Sequence, residues 1–255
     1  MSRSHSTGVR RRDVVAALGA ATATVTAGCV AGYAGREASD DEEVETLTLA
    51  EQGVPPTICE EELSPSGIRA VDDPAFGAGD AWPADPDGYQ PLRATSTIIG
   101  LESDGISRAY PLSLLNVHEV VNDDLGGPVL VTYCPICRSG MVAERVVDGA
   151  AARFDASGLL WTPPRIRTAA AAEDGRVFSD SEAGVANNGN LVMYDDRTGS
   201  YWSQMLAQGI CGPRTDERLS IRPSTVTTWA DWRDRHPDAD VLLPPPASGV
   251  VDAPI

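Results

Sequence analysis

Five cysteines occur in the 255 residues, and two of them stand two positions apart in Cys134-Pro135-Ile136-Cys137. Paired thiols at this spacing do one of three things: chelate a soft metal, cycle between dithiol and disulfide, or close one permanent disulfide. The motif follows Val129-Leu130-Val131-Thr132-Tyr133, an apolar, β-branched run that reads as a buried strand. Redox sites of this spacing usually draw on a helix after the first thiol to lower its pKa. Here Arg138-Ser139-Gly140 follows, and residues 141–147 read as another strand. That order disfavours a thioredoxin-like fold and leaves Arg138 as the cation available to a thiolate at Cys134.

A metal centre needs more donors, and the chain has three histidines. His118 is the candidate. Gly126-Gly127 turns the chain from its segment into the strand that ends at Cys134, so a Cys134, Cys137, His118 set is feasible. A fourth donor from Met141, Glu119, Met205 or Cys211 would suit copper(I) or zinc. The alternative is a histidine hydrogen-bonded at a helix end. His236, before Pro237, reads as a helix C-terminal cation. A disulfide between Cys59 and Cys211 stays open, as does an inert disulfide at the paired cysteines. Hydrolysis at Glu119 or Asp195 has no Ser/His/Asp or paired-carboxylate spacing behind it.

The elements that must position these residues are short. Pro and Gly punctuate apolar runs throughout, and residues 97–101, 107–111, 129–133, 141–147, 151–156, 191–194 and 241–243 read as strands. Val147-Asp148-Gly149 is a hairpin signal and Arg197-Thr198-Gly199 a turn. Residues 112–121 read as a helix with a broad apolar face. A second helix begins at Thr228, an N-cap with Asp231 three residues on, and ends at Arg235 before Pro237. Trp229 and Trp232 share one face of it and read as core. The expected class is α+β, mostly β: one domain of many short strands and two short helices, spanning 61–243, with 162–189 as an inserted surface loop and 244–255 as a tail without pattern.

Several of these blocks together resemble a known family. They are Ala109-Tyr110-Pro111-Leu112, His118-Glu119-Val120-Val121-Asn122-Asp123, the strand with Cys134-Pro135-Ile136-Cys137, Ser157-Gly158-Leu159-Leu160, Leu191-Val192-Met193-Tyr194-Asp195, Tyr201-Trp202-Ser203-Gln204 and Thr227-Thr228-Trp229-Ala230-Asp231-Trp232 with His236-Pro237. The chain resembles, over roughly residues 65–243, the uncharacterised prokaryotic family called domain of unknown function 3179. The resemblance implies a single mostly β domain in which His118, Glu119, Cys134, Cys137, Trp202 and Gln204 belong to the shared pattern. It names no reaction. Tyr133, Trp202 and Gln204 are candidate pocket residues beside the cysteines. The segment 162–189 is longer than the family's usual connection, and Cys59 and Cys211 fall outside its pattern.

Charge and the amino terminus complete the reading. Thirty-seven acids face 20 cations, all of them Arg, for a formal charge of −17. Such an excess repels phosphate backbones and anionic lipid, which excludes nucleic acid as a partner. Molar salt screens the self-repulsion, so the surface reads as salt-adapted. Residues 1–28 carry Arg10-Arg11-Arg12-Asp13, a short weakly apolar middle and Ala27-Gly28 before Cys29. This is similar to a twin-arginine export signal ending in a lipobox, with Cys29 as the lipidated first residue. The expected location is therefore the outer face of the cytoplasmic membrane, with lipid as the membrane partner. Residues 29–60 include seven acids against Arg36 between positions 37 and 51 and read as a solvated tether. Two readings of function follow. One is an exported protein whose cysteine pair binds copper or zinc or does thiol redox chemistry; the other is a noncatalytic surface binding module with a structural disulfide.

Overall fold

The computed structural model describes residues 46–61, 68–161 and 189–250. The signal, Cys29, the acidic stretch up to residue 45, most of the inserted segment (162–188) and residues 251–255 lie outside them. The described residues form sixteen strands and two short α-helices, a mostly β, α+β architecture as expected.

Three larger sheets and one ribbon account for the strands. The first sheet runs β16 (Gly249–Val250), β1 (Val71–Asp73), β5 (Val120–Asp124), β6 (Pro128–Cys134), β7 (Ser139–Glu144). The second runs β14 (Thr225–Thr228), β3 (Thr97–Ser103), β4 (Ile106–Pro111), β15 (Asp240–Leu242), β2 (Phe76–Gly77). The third runs β10 (Phe154–Trp161), β11 (Asn190–Asp195), β12 (Tyr201–Ser203), β13 (Gln208–Cys211). β8 (Val146–Val147) and β9 (Ala150–Ala151) make the ribbon, and Asp148 and Gly149 between them both have positive φ, 54° and 70°. That pair is what a two-residue type I′ hairpin requires, as the Asp-Gly signal predicts.

The layering follows from side-chain alternation in β5 and β6. Val121, Val129 and Val131 enter a core shared with the second sheet, helix α1 (Leu112–His118) and helix α2 (Trp229–Arg235). Val120, Leu130 and Cys134 enter a second core shared with Phe154, Leu191, Met193 and Trp202 of the third sheet. The first sheet is thus the middle layer, apolar on both faces, and its strands read as near-continuous apolar runs. The far face of the third sheet is also covered. Val192, Ile210 and Trp161 pack there against Val54 and Ile58 of the amino-terminal segment, whose Cys59 is disulfide-bonded to Cys211.

Several boundaries differ from expectation. The segment read as tether through residue 60 is packed from Leu49 onward, because Leu49, Val54 and Ile58 have an apolar face to cover. Part of the tail belongs to the fold as well: Gly249–Val250 pairs with β1, and buried Ser248 donates to Leu243 O at 2.5 Å. The helix expected over 112–121 stops at His118. Glu119 takes φ 57°, and Val120-Val121 then pair with Thr132 and Val131 of β6. An apolar, β-branched run fits both periods, and cross-strand packing decides it. The strand expected over 141–147 breaks at buried Arg145, which donates to Asp123 O, Ala152 O and the Asp124 carboxylate. The strand expected over 151–156 likewise divides, leaving Ala150–Ala151 in the ribbon and starting β10 at Phe154. Helix α2 forms as read, with Thr228 Oγ1 accepting from the Asp231 N–H at 3.2 Å and both tryptophans buried.

Candidate functional site

Cys134 is the last residue of β6 and pairs with Ser139, the first of β7, so the turn between them holds four residues. Pro135 presets φ at its first position, and Arg138 closes it with φ 53°. The two sulfurs form a disulfide across the turn, with Cα atoms 5.2 Å apart. They differ in access. Cys134 is 0% exposed and packs in the inner core near Met141 and Trp202, whereas Cys137 is half-buried at its margin. The Cys137 N–H donates to Cys134 Sγ at 3.1 Å. An amide aimed at that sulfur favours its anionic form.

A single glutamine holds the turn to the third sheet. Gln204 is fully buried, and its Nε2 donates to Thr132 Oγ1 at 3.0 Å and to Ser139 O at 3.1 Å. Its Oε1 accepts from Ser139 Oγ at 2.8 Å. The β6–β7 turn and the β12–β13 turn are thereby joined. Exposed Ile136 sits on the first and exposed Met205 on the second. Trp202 is core rather than rim: it meets Phe154 edge to face at 5.8 Å, and its Nε1 donates to Asp195 Oδ2 at 2.8 Å. Asp195 also accepts from the amides of Arg197 and Thr198, a turn-holding carboxylate. Tyr133 points to the other core, away from Cys134.

His118 and Glu119 stand at the same end of the middle sheet, since the Tyr133 N–H donates to Glu119 O at 2.8 Å. Both ring nitrogens of His118 are engaged, Nδ1 with Arg69 O at 2.7 Å and Nε2 with Tyr89 Oη at 2.8 Å. Burial lowers its pKa, so the neutral ring is favoured. Glu119 is buried, and desolvation pushes its carboxyl up to about 7.

These donors do not fit a copper or zinc centre. Among the described residues no group of three or more His, Cys, Asp or Glu is placed to hold a metal, and His118 is satisfied by Tyr89 and Arg69. Cys211 is taken up by Cys59, and Met205 is 63% exposed, so neither supplies the fourth ligand. Arg138 is exposed, and His236 stands at the C-cap of α2. A cleft of about 530 Å³ at the edge of the second sheet is lined by Glu102, Ser107, Arg108 and His236. Ser107 Oγ (3.1 Å) and Glu102 (3.9 Å) both approach His236 Nδ1. A hydrolytic triad needs them at opposite ring nitrogens.

The profile of a family described as protein of unknown function (DUF3179) matches residues 65–166 and 172–249. The chain belongs to this family. The break in the match, 167–171, falls inside the segment read from the sequence as an insertion. Neither the curated proteins nor the solved structures contain a match to this DUF3179 chain. Of the residues that the resemblance picks out, Gln204 and Trp202 lie behind the cysteine turn, and His118 and Glu119 stand at the end of α1, just before β5.

Sequence reasoning missed the partners that decide these roles. Tyr89 and Arg69 lie 29 and 49 residues from His118. Ser139 gives no signal of its own beyond following the motif.

Proposed function

We propose that this chain is an exported protein, lipid-anchored at Cys29, whose Cys134–Cys137 disulfide takes part in thiol–disulfide exchange. The asymmetry of the two sulfurs carries the reading. An incoming thiolate reaches half-buried Cys137 and attacks its Sγ, the Cys134–Cys137 bond breaks, and Cys134 Sγ leaves with the electron pair into the Cys137 N–H. A mixed disulfide on Cys137 results, and Cys134 becomes the thiolate. A second thiol of the partner then attacks its own sulfur in the mixed disulfide and frees Cys137. The net result is a reduced cysteine pair and an oxidised partner. The same steps run in reverse.

The export reading is supported by the Arg11-Arg12 signal, the Ala27-Gly28-Cys29 ending and the Cys59–Cys211 disulfide, a bond that persists in oxidising compartments. Salt adaptation is supported by the acid excess and the absence of lysine. Cys29→Ser should release the protein from the membrane fraction. Mild reductant applied to the folded full chain, followed by alkylation and peptide mapping, tests the exchange. Cys134 and Cys137 should become free while Cys59–Cys211 stays closed, with the mixed-disulfide intermediate on Cys137. A Cys134–Cys137 bond that opens only when the protein unfolds would make it a staple in a noncatalytic binding module.

A further inference from the structure

The rim of the cysteine turn differs from the rest of this acidic molecule. Ile136, between the two cysteines, is 48% exposed, and Met205, at the tip of the β12–β13 turn that Gln204 ties to Ser139, is 63% exposed. The segments that carry them, 125–143 and 197–215, contain no Asp or Glu in a chain with 37. Two large apolar side chains thus stand in water on two turns held side by side, next to the one half-buried sulfur. Exposed apolar groups gathered at a reactive centre mark a contact surface, and methionine adapts its shape to varied partners. The lack of acids there removes a repulsion that an approaching thiolate would otherwise meet.

Resting on the exchange reading above, we infer that the partner thiol belongs to a polypeptide cysteine flanked by apolar residues, which dock on Ile136 and Met205 as its sulfur meets Cys137. A small hydrophilic thiol has nothing to place on this rim. Folded secreted proteins bury such cysteines, so the substrate class is an incompletely folded or extended chain. No acid on either turn opposes it, and exposed Arg138 adds a cation beside the disulfide.

The test uses the oxidised full chain and two reduced synthetic peptides, each with one cysteine, flanked by Leu and Phe in one and by Gly and Ser in the other. Mercaptoethanol serves as a third thiol. The readout is the rate at which a peptide–Cys137 mixed disulfide appears. The apolar peptide should react about tenfold faster than the polar one, the factor gained by burying roughly one apolar side chain. The ratio of the two rates should fall towards one in the Ile136→Ser/Met205→Ser double variant. Val226→Ser, which removes another exposed apolar side chain (66%) on β14 of the second sheet, should leave the ratio as it is. Equal rates for the two peptides, or a ratio untouched by the double variant, would overturn the docking inference while leaving exchange intact. If mercaptoethanol and both peptides all fail to open the bond, the exchange reading itself falls.

Discussion

The two disulfides of this chain sit in opposite situations. Cys59–Cys211 joins residues 152 apart, and it fastens the amino-terminal segment over the outer face of the third sheet. Cys134–Cys137 joins residues three apart in a turn that the pairing of Cys134 with Ser139 already closes. In the chain-entropy picture a ring of roughly 150 residues contributes about 5 kcal/mol and a ring of four about 2 kcal/mol. The hairpin lowers the second figure further, since its ends are held together without the bond. One disulfide is therefore placed where cross-linking stabilises most and the other where it stabilises least, while each keeps one sulfur within reach, exposed Cys59 and half-buried Cys137. The difference lies in what each bond holds in place, a distant segment in one case and an already closed turn in the other.

That comparison can be broken in four places. Replacing both Cys59 and Cys211 by Ser should lower stability by up to about 5 kcal/mol in urea unfolding. A loss below about 1 kcal/mol would deny the bond its fastening role. Gln204→Ala should cost about 2 kcal/mol, because the partners at Thr132 and Ser139 lose their buried hydrogen bonds. It should also speed reduction of Cys134–Cys137 without changing that of Cys59–Cys211, as read by timed alkylation.

Glu119, beside the turn, gives a pH signature. Its carboxyl, raised from 4.5 to about 7 by burial, holds its proton longer in the folded protein than in the unfolded chain. The stability it permits is complete below about pH 4.5 and is lost as pH rises through about 7. The loss is about 1–2 kcal/mol once solvent screening is allowed for. Asp155, raised to about 6 chiefly by burial, contributes in an overlapping window, so the difference between parent and Glu119→Gln across pH 4 to 8 isolates the glutamate. A variant that keeps the parent's full slope would remove Glu119 from the account. The smallest effect is expected for Cys134→Ala/Cys137→Ala, which should cost about 1 kcal/mol or less in the same unfolding measurement. A loss as large as that of the other pair would make the two bonds equivalent.

What was legible in the sequence was what local chemistry fixes. Thr228 with Asp231 announces a helix start, Asp148-Gly149 a hairpin, and Cys134-Pro135-Ile136-Cys137 a pair of sulfurs able to meet. Val120 and Val121 read as helix because their burial comes from both neighbouring layers, and no single-face period survives that. The amino-terminal segment reads as a tether because its acids dominate its composition, although Leu49, Val54 and Ile58 cover an apolar sheet face. The metal reading failed at His118 for a related reason: the hydroxyl and carbonyl that occupy its ring come from distant segments whose approach only the tertiary fold creates. Gln204 is the extreme case, a polar residue whose role exists only because two hairpins from different sheets meet around it.

The long disulfide also has a mechanical consequence. Residues 59 to 211 form a covalent ring, and the cysteine turn lies within it. Tension applied between the two ends of the chain passes from Cys59 straight to Cys211 and onward, so the backbone of the ring carries none of it. A protein held at its amino end and pulled at the other can lose the strands after Cys211 while the turn that bears Cys134 and Cys137 stays out of the line of force.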